Sequence, residues 1–240
     1  MTELLYQTDS YVRQFHATVM ALDVESHAVL LDRTAFYPGG GGQPSDIGSL
    51  LVDAKPLVVL RAQKRPEGVW HYLEKETPLP PAGAGITGEL DWDHRYRLMR
   101  THTALHILCG VVFRDYNALV TGGDMEPLKG RMDFEFETLH KELVNVIEEA
   151  VNTEVAESHA VRTAILPREQ AFQIPDLIRT KINLLPPEIT EVRTVEIVGL
   201  DLQADGGTHV QSTSEVGTVK VTDYKSKGKI NKRIYIELID

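Results

Sequence analysis

DWDHRYRLMRTHTALHILCGVVFR, residues 91–114, is the stretch on which the reading of the fold turns. Asp91 or Asp93 can cap a helix, and Leu98, Leu105, Leu108 and Val112 recur behind them at helical spacing. Upstream the pattern differs. Phe15–Leu22, Val29–Thr34, Leu57–Leu60 and Val69–Leu73 are short apolar segments separated by turn-like residues, so residues from about 12 to 90 read as β-rich. Pro38 leads directly into Gly39, Gly40, Gly41 and Gly42, a run that belongs in a loop. Leu79–Gly85, rich in proline, glycine and alanine, reads as a connector. Downstream, Leu139, Leu143, Val146, Ala150 and Val151 mark a second helix, Ala160–Leu166 a strand, and Pro167 the start of a short helix. Glu191–Val198, Thr218–Asp223 and Arg233–Leu238 read as further strands, with Gly228 and Asn231 in the turn between the last two.

Composition narrows the setting. A chain of 240 residues with 42% hydrophobic content can bury a core without staples. Cys109 is the one cysteine, so no intrachain disulfide forms, which fits a reducing compartment. The opening MTELLYQTDSYVRQFHATV lacks the basic end and apolar run of a signal peptide. No stretch approaches the roughly 20 apolar residues that cross a bilayer. A cytoplasmic protein is expected. The formal charge of −10 argues against broad nucleic-acid binding, yet charge distribution matters more than the sum. Lys225, Lys227, Lys229, Lys232 and Arg233 crowd one segment, and Arg95, Arg97 and Arg100 form a second group. Either group suits a small nucleic-acid contact; on residue type alone, a solvated hairpin and a solvated helix face are the simpler reading.

His102 and His106 are four apart on the predicted helix, which puts both imidazoles on one face, close enough to share a small cation. A pair alone also suits packing. Thr103 stands where a thermolysin-like motif needs its glutamate. Asp205 and His209 are again four apart, around Gly206-Gly207, a turn that can fold two ligands toward one point. Zinc accepts both nitrogen and carboxylate oxygen; a β-turn with Asp205 bonding its own backbone is the competing reading. In the glycine loop, Thr34 and Gln43 offer a hydroxyl and an amide to a polar group. Nothing there has the spacing of a phosphate-binding loop followed by lysine.

Together these segments resemble the AlaX proteins, free-standing relatives of the editing domain of alanyl-tRNA synthetase. The resemblance rests on TDSYVRQFHATV, LLDRTAFYPGGGGQPSDIG, HTALHIL, ADGGTHVQSTSEVG and GKINKRIYIEL, in the family's order over nearly the whole chain. The second half also resembles the additional domain shared by threonyl- and alanyl-tRNA synthetases. The expected fold class is α+β: a β-rich, barrel-like domain over 1–90, then an α+β domain over 91–240 whose antiparallel sheet is packed by helices.

The resemblance implies hydrolysis of the ester in alanine tRNA wrongly charged with serine, and with glycine as a further candidate. It implies zinc on His102, His106 and His209. The family's Cys-x-x-x-His falls on Asp205 and His209, so aspartate replaces a thiolate ligand. Asp205 is then either a harder fourth ligand or a group that orients or deprotonates water beside a three-histidine site. Thr34 matches the threonine that recognises the serine hydroxyl, and Gln43 a pocket position. The expected mechanism has the metal hold the 3′ end or activate water. Gly39 to Gly42 supply amides near the oxyanion. Thr34, Gly40, Gly41, Gly42, Gln43 and Thr208 are the expected substrate contacts; Arg97, Arg100, Lys225, Lys227, Lys229, Lys232 and Arg233 are the expected tRNA contacts. A tRNA-binding protein disabled at Asp205, and a metal-dependent hydrolase of small esters or amides, are the other readings.

Overall fold

Strands β1 (Glu3–Leu4) and β2 (Gln14–Asp23) open the chain. β2 buries Phe15, Ala17 and Val19 and turns Gln14, His16 and Met20 outward, the two-residue period of a sheet with one inner face. The computed structural model describes residues 2–53, 55–181, 185 and 189–239. It divides into two compact units, Met1–Tyr96 and Arg97–Asp240.

In the first unit, β3 (Ala28–Leu31), β4 (Arg33–Thr34), β5 (Gly48–Val52), β6 (Lys55–Arg65), β7 (Gly68–Leu73) and β8 (Gly85–Leu90) follow. A closed barrel forms in the order β2-β3-β7-β6-β5-β8, and β1 pairs with β4 in parallel. Phe15, Val19, Val29, Leu31, Phe36, Leu50, Val59 and Val69 fill it. Two of its strands escape a pattern reading. β5 has no fully alternating face, and β8 carries two glycines, the first of them inside the expected connector. Gly88 is needed there because a Cβ would lie 2.4 Å from the Phe15 ring.

The glycine loop is held at its base by a buried ion pair. Arg95 donates from Nε to Asp46 Oδ1 at 2.8 Å, and from its terminal nitrogens to Asp46 Oδ2, the Ser10 carbonyl and the Ala35 carbonyl. Both side chains are essentially inaccessible. Asp46 in turn accepts from the Tyr37 amide at 2.5 Å. Arg95 is thus structural, which corrects its place in an exposed basic group.

In the second unit, α1 (Trp92–Tyr116), whose first turns belong to the first unit, continues from Arg97. Asp91 rather than Asp93 caps it, accepting from the His94 amide at 3.0 Å. The expected single apolar face is a correction: every residue from Leu98 to Val112 is buried, as for a helix surrounded by protein. Next come β9 (Val120–Glu126), β10 (Lys129–Glu135) and α2 (Lys141–Ala156). They are followed by β11 (Val161–Pro167), α3 (Arg168–Ala171), β12 (Glu191–Ile197), β13 (Asp201–Ala204), β14 (Thr218–Ser226) and β15 (Asn231–Ile239).

One sheet runs β14-β15-β10-β9 and another β11-β12-β13. β9, β10 and β13 have no clean alternation in sequence; Gly122, Gly123 and Gly130 interrupt the first two. Gly130 lets Leu105 of α1 lie on the sheet, since a Cβ there would be 3.1 Å from its δ-carbons. Pro167 ends β11 and is the N-cap of the short helix α3, as expected, whereas Asn231 lies in β15 opposite Glu135 and Val146 of α2 is exposed. Asn152 ties α2 to β14 by bonding both the amide and the carbonyl of Val219. No helix among the described residues is long and apolar enough to cross a membrane.

Asp46→Ala strands the Arg95 guanidinium in the interior and is expected to cost roughly 3–5 kcal/mol of stability, read as a lower urea midpoint. A loss below about 1 kcal/mol would show that this pair does not hold the loop base.

Candidate metal centre

One turn of α1 separates His102 and His106, and both are buried. Asp205 follows the last residue of β13. Its amide donates to the Arg193 carbonyl, and its carbonyl accepts from Arg193 Nη1 at 3.0 Å. The Gly206-Gly207 turn then reverses the chain, with the Gly207 amide donating to Asp205 Oδ1 at 2.8 Å. Asp205 therefore does bond its own turn, as one sequence reading expected, and also meets the histidines. Thr103 fastens the loop to α1: its hydroxyl accepts from the Val210 amide at 3.3 Å and lies 3.2 Å from His209 Nδ1.

His102, His106, Asp205 and His209 offer ligand atoms that all lie within 4.8 Å of one another. Asp205 Oδ1 is 3.0 Å from His209 Nε2, and Oδ2 is 3.6 Å from His102 Nε2 and 4.0 Å from His106 Nε2. Ligand atoms around a tetrahedral zinc lie roughly 3.3 Å apart, so the cluster brackets that spacing. Burial pushes the His102 imidazole down to about 4, and burial followed by the neighbouring His102 holds His209 well below the usual range. Both rings are neutral at pH 7 and keep a lone pair for a cation. Cys109, one turn on from His106, is not among the clustered ligand atoms, and burial and then Asp201 push its thiol far up.

The nitrogens that face away from the cluster also have neighbours. His102 bonds the Thr208 backbone. His209 Nδ1 meets Thr103. His106 Nδ1 is buried without a hydrogen-bond partner, and the nearest carboxylate oxygen, Asp201 Oδ2, is 3.8 Å away. Arg179 and Gln203 hold Asp201 in place. Gly110 of α1 makes room for it, because a Cβ there would lie 3.0 Å from Asp201 Cβ. A carboxylate behind a histidine is the usual support of a metal ligand. The donor set and its support therefore fit a divalent cation. Asp201 and Arg179 are residues that sequence reasoning missed, and Thr103, inside the histidine motif, was read there only for the glutamate it replaces.

The glycine loop belongs to the first unit. Gly40 and Gln43 exchange both backbone hydrogen bonds at 3.0 Å around Gly41-Gly42, whose φ values of 60° and 90° need glycine. The Gly40 amide is thereby committed, which corrects its expected place among the oxyanion donors. Gln43 is buried, and Thr34 has no exposed surface; Thr34 Oγ1 lies 2.8 Å from Nε2 of His71, another residue without a sequence signal.

Several expected tRNA contacts are structural. Lys232 is buried and donates to the Gly228 and Lys229 carbonyls. Arg233 forms a double bond pair with Asp133 at 2.6 and 2.8 Å. Arg100 is buried against the Val216 carbonyl at 2.9 Å. Arg97, Lys225, Lys227 and Lys229 remain exposed, Lys225 in a surface pair with Asp223 at 2.9 Å. Thr208 is fully buried, so its side chain is not a surface contact.

Residues 192–235 match the second additional domain of threonyl- and alanyl-tRNA synthetases, and residues 6–94 match the class II (A) tRNA synthetases. The alanyl-tRNA editing protein AlaX-M of Saccharolobus solfataricus is 39% identical over 98% of both chains. That of Methanosarcina mazei is 37% identical over 100% of this chain and 98% of its own. The alanine–tRNA ligase of Saccharolobus islandicus is 34% identical over 92% of this chain and 25% of its own. The chain belongs to the AlaX family of alanyl-tRNA editing proteins.

Asp201→Ala removes the carboxylate behind His106 and is expected to weaken divalent-cation affinity roughly ten- to hundredfold, measured by zinc titration against a competing chelator. Unchanged affinity would leave Asp201 with a packing role only.

Proposed function

We propose that this chain is a cytoplasmic trans-editing hydrolase that releases serine from mischarged alanine tRNA, using zinc held by His102, His106, Asp205 and His209. As a member of the AlaX family it is an aminoacyl-tRNA deacylase. The observation that carries the zinc reading is the meeting of three imidazoles and one carboxylate from distant segments within 4.8 Å. Zinc in such a site supplies Lewis acidity to ester hydrolysis. Asp205 Oδ2 faces His102 and His106 while Oδ1 is occupied by Gly207 and His209. That division favours Asp205 as a ligand through one oxygen over a role as a detached base.

Thr34 reads the amino-acid side chain. It has no exposed surface, and its hydroxyl is held by His71 and the Phe36 amide. A methyl group in place of the substrate hydroxyl makes no hydrogen bond to Thr34 Oγ1, at a cost of about 0.5–1.5 kcal/mol, or roughly twofold to tenfold in rate. Gln43 and the amides of Gly41 and Gly42 support the polar end of the substrate. Glycine carries no hydroxyl for Thr34 to meet, so glycyl-tRNA is the weaker candidate. Arg97, Lys225, Lys227 and Lys229 are the remaining candidates for phosphate contacts, and the double Lys227→Ala, Lys229→Ala chain is expected to bind tRNA more weakly at low salt.

Incubation with seryl-, glycyl- and alanyl-tRNA for alanine, with and without a chelator, tests the reading. Serine release that stops with the chelator and returns with zinc is expected; full activity in metal-free protein would remove the metal from the reaction. His106→Ala should lose both bound zinc and deacylation, whereas Asp205→Cys should keep the metal and bind it more tightly. Thr34→Val should narrow the serine-to-alanine rate ratio, and an unchanged ratio would end the selectivity role of Thr34.

A further inference from the structure

Thr34 and His71 form a closed pair inside the barrel, and both are completely buried. Thr34 Oγ1 lies 2.8 Å from His71 Nε2 and also accepts from the Phe36 amide at 3.1 Å. Across the ring, His71 Nδ1 lies 3.4 Å from the Val29 carbonyl oxygen. The Phe36 ring packs edge-on against the imidazole with centroids 5.3 Å apart, which fixes its orientation.

A carbonyl oxygen can only accept, so Nδ1 carries the ring proton and Nε2 the lone pair. The other tautomer would set the Nδ1 lone pair against the Val29 oxygen. Burial also pushes the ring down to about 4, so it is not doubly protonated at neutral pH. With Nε2 as acceptor, the donor in the contact is the Thr34 hydroxyl.

We propose that His71 is a positioning residue that takes up the one proton of the Thr34 hydroxyl, leaving Oγ1 an acceptor only toward the substrate. This rests on the reading of Thr34 as the side-chain contact and specifies the sense of its hydrogen bond. The substrate must be the donor. A serine hydroxyl can donate, an alanine methyl cannot, and a substrate side chain that only accepts is refused.

Long-range proton–nitrogen spectra of the full chain labelled in its histidines test this directly, with His71 assigned by loss of its signals in His71→Gln. A protonated Nδ1 and a bare Nε2 are expected; a protonated Nε2 overturns the proposal. Deacylation gives the second reading. His71→Gln can place its amide oxygen near the position of Nε2 and should keep the serine-over-alanine ratio within about threefold. His71→Asn cannot reach and should lose roughly tenfold in that ratio. Equal loss in both variants, with matched thermal melts, overturns the proposal. If the native chain releases no serine at all, the functional reading falls, while the spectra still decide the tautomer.

Discussion

Burying a polar group without a partner is expensive, and this constraint organises the second unit. Helix α1 is buried along its middle, yet it carries His102, Thr103 and His106 there. Each needs a partner from outside the helix. The Asp205–His209 loop supplies partners to all three: a carboxylate to the histidines, the Val210 amide and His209 ring to Thr103, and the Thr208 backbone to His102. His106 Nδ1 is buried without a hydrogen-bond partner, and Asp201 stands 3.8 Å from it. The result is a pocket of imidazole nitrogens beside a carboxylate, which is what a divalent cation needs.

We propose that Asp205, where the AlaX resemblance implies a thiolate, makes a harder site for a cation. A carboxylate is a harder ligand than a thiolate and donates less charge to zinc. Arg193 lies behind it, with Nη1 3.0 Å from the Asp205 carbonyl and 4.0 Å from Oδ1. The guanidinium draws charge from the carboxylate further, so a cation here should be more electron-poor than one bound by cysteine. That favours polarisation of an ester and works against retention of the metal.

Much of this architecture was legible in the sequence. Helical spacing across residues 91–114 located α1, and the two four-residue spacings located all of the clustered side chains. β5, β8, β9, β10 and β13 were not legible. Glycines break the apolar alternation of β8, β9 and β10, and those at Gly88 and Gly130 are there because a neighbouring side chain occupies the space of a Cβ. Charge was misleading for a related reason: Arg95, Arg100, Lys232 and Arg233 are cations by type but spend their hydrogen bonds inside the protein. Asp201 and His71 act through distance in space, for which no sequence spacing exists.

The central claim is that four side chains from two distant segments share one ion. X-ray absorption at the zinc edge of the metal-loaded chain tests it most directly. The account predicts a first shell of nitrogen and oxygen alone at about 2.0–2.1 Å, with outer-shell scattering from three imidazoles. A sulfur ligand, or scattering from fewer than three imidazoles, would contradict it.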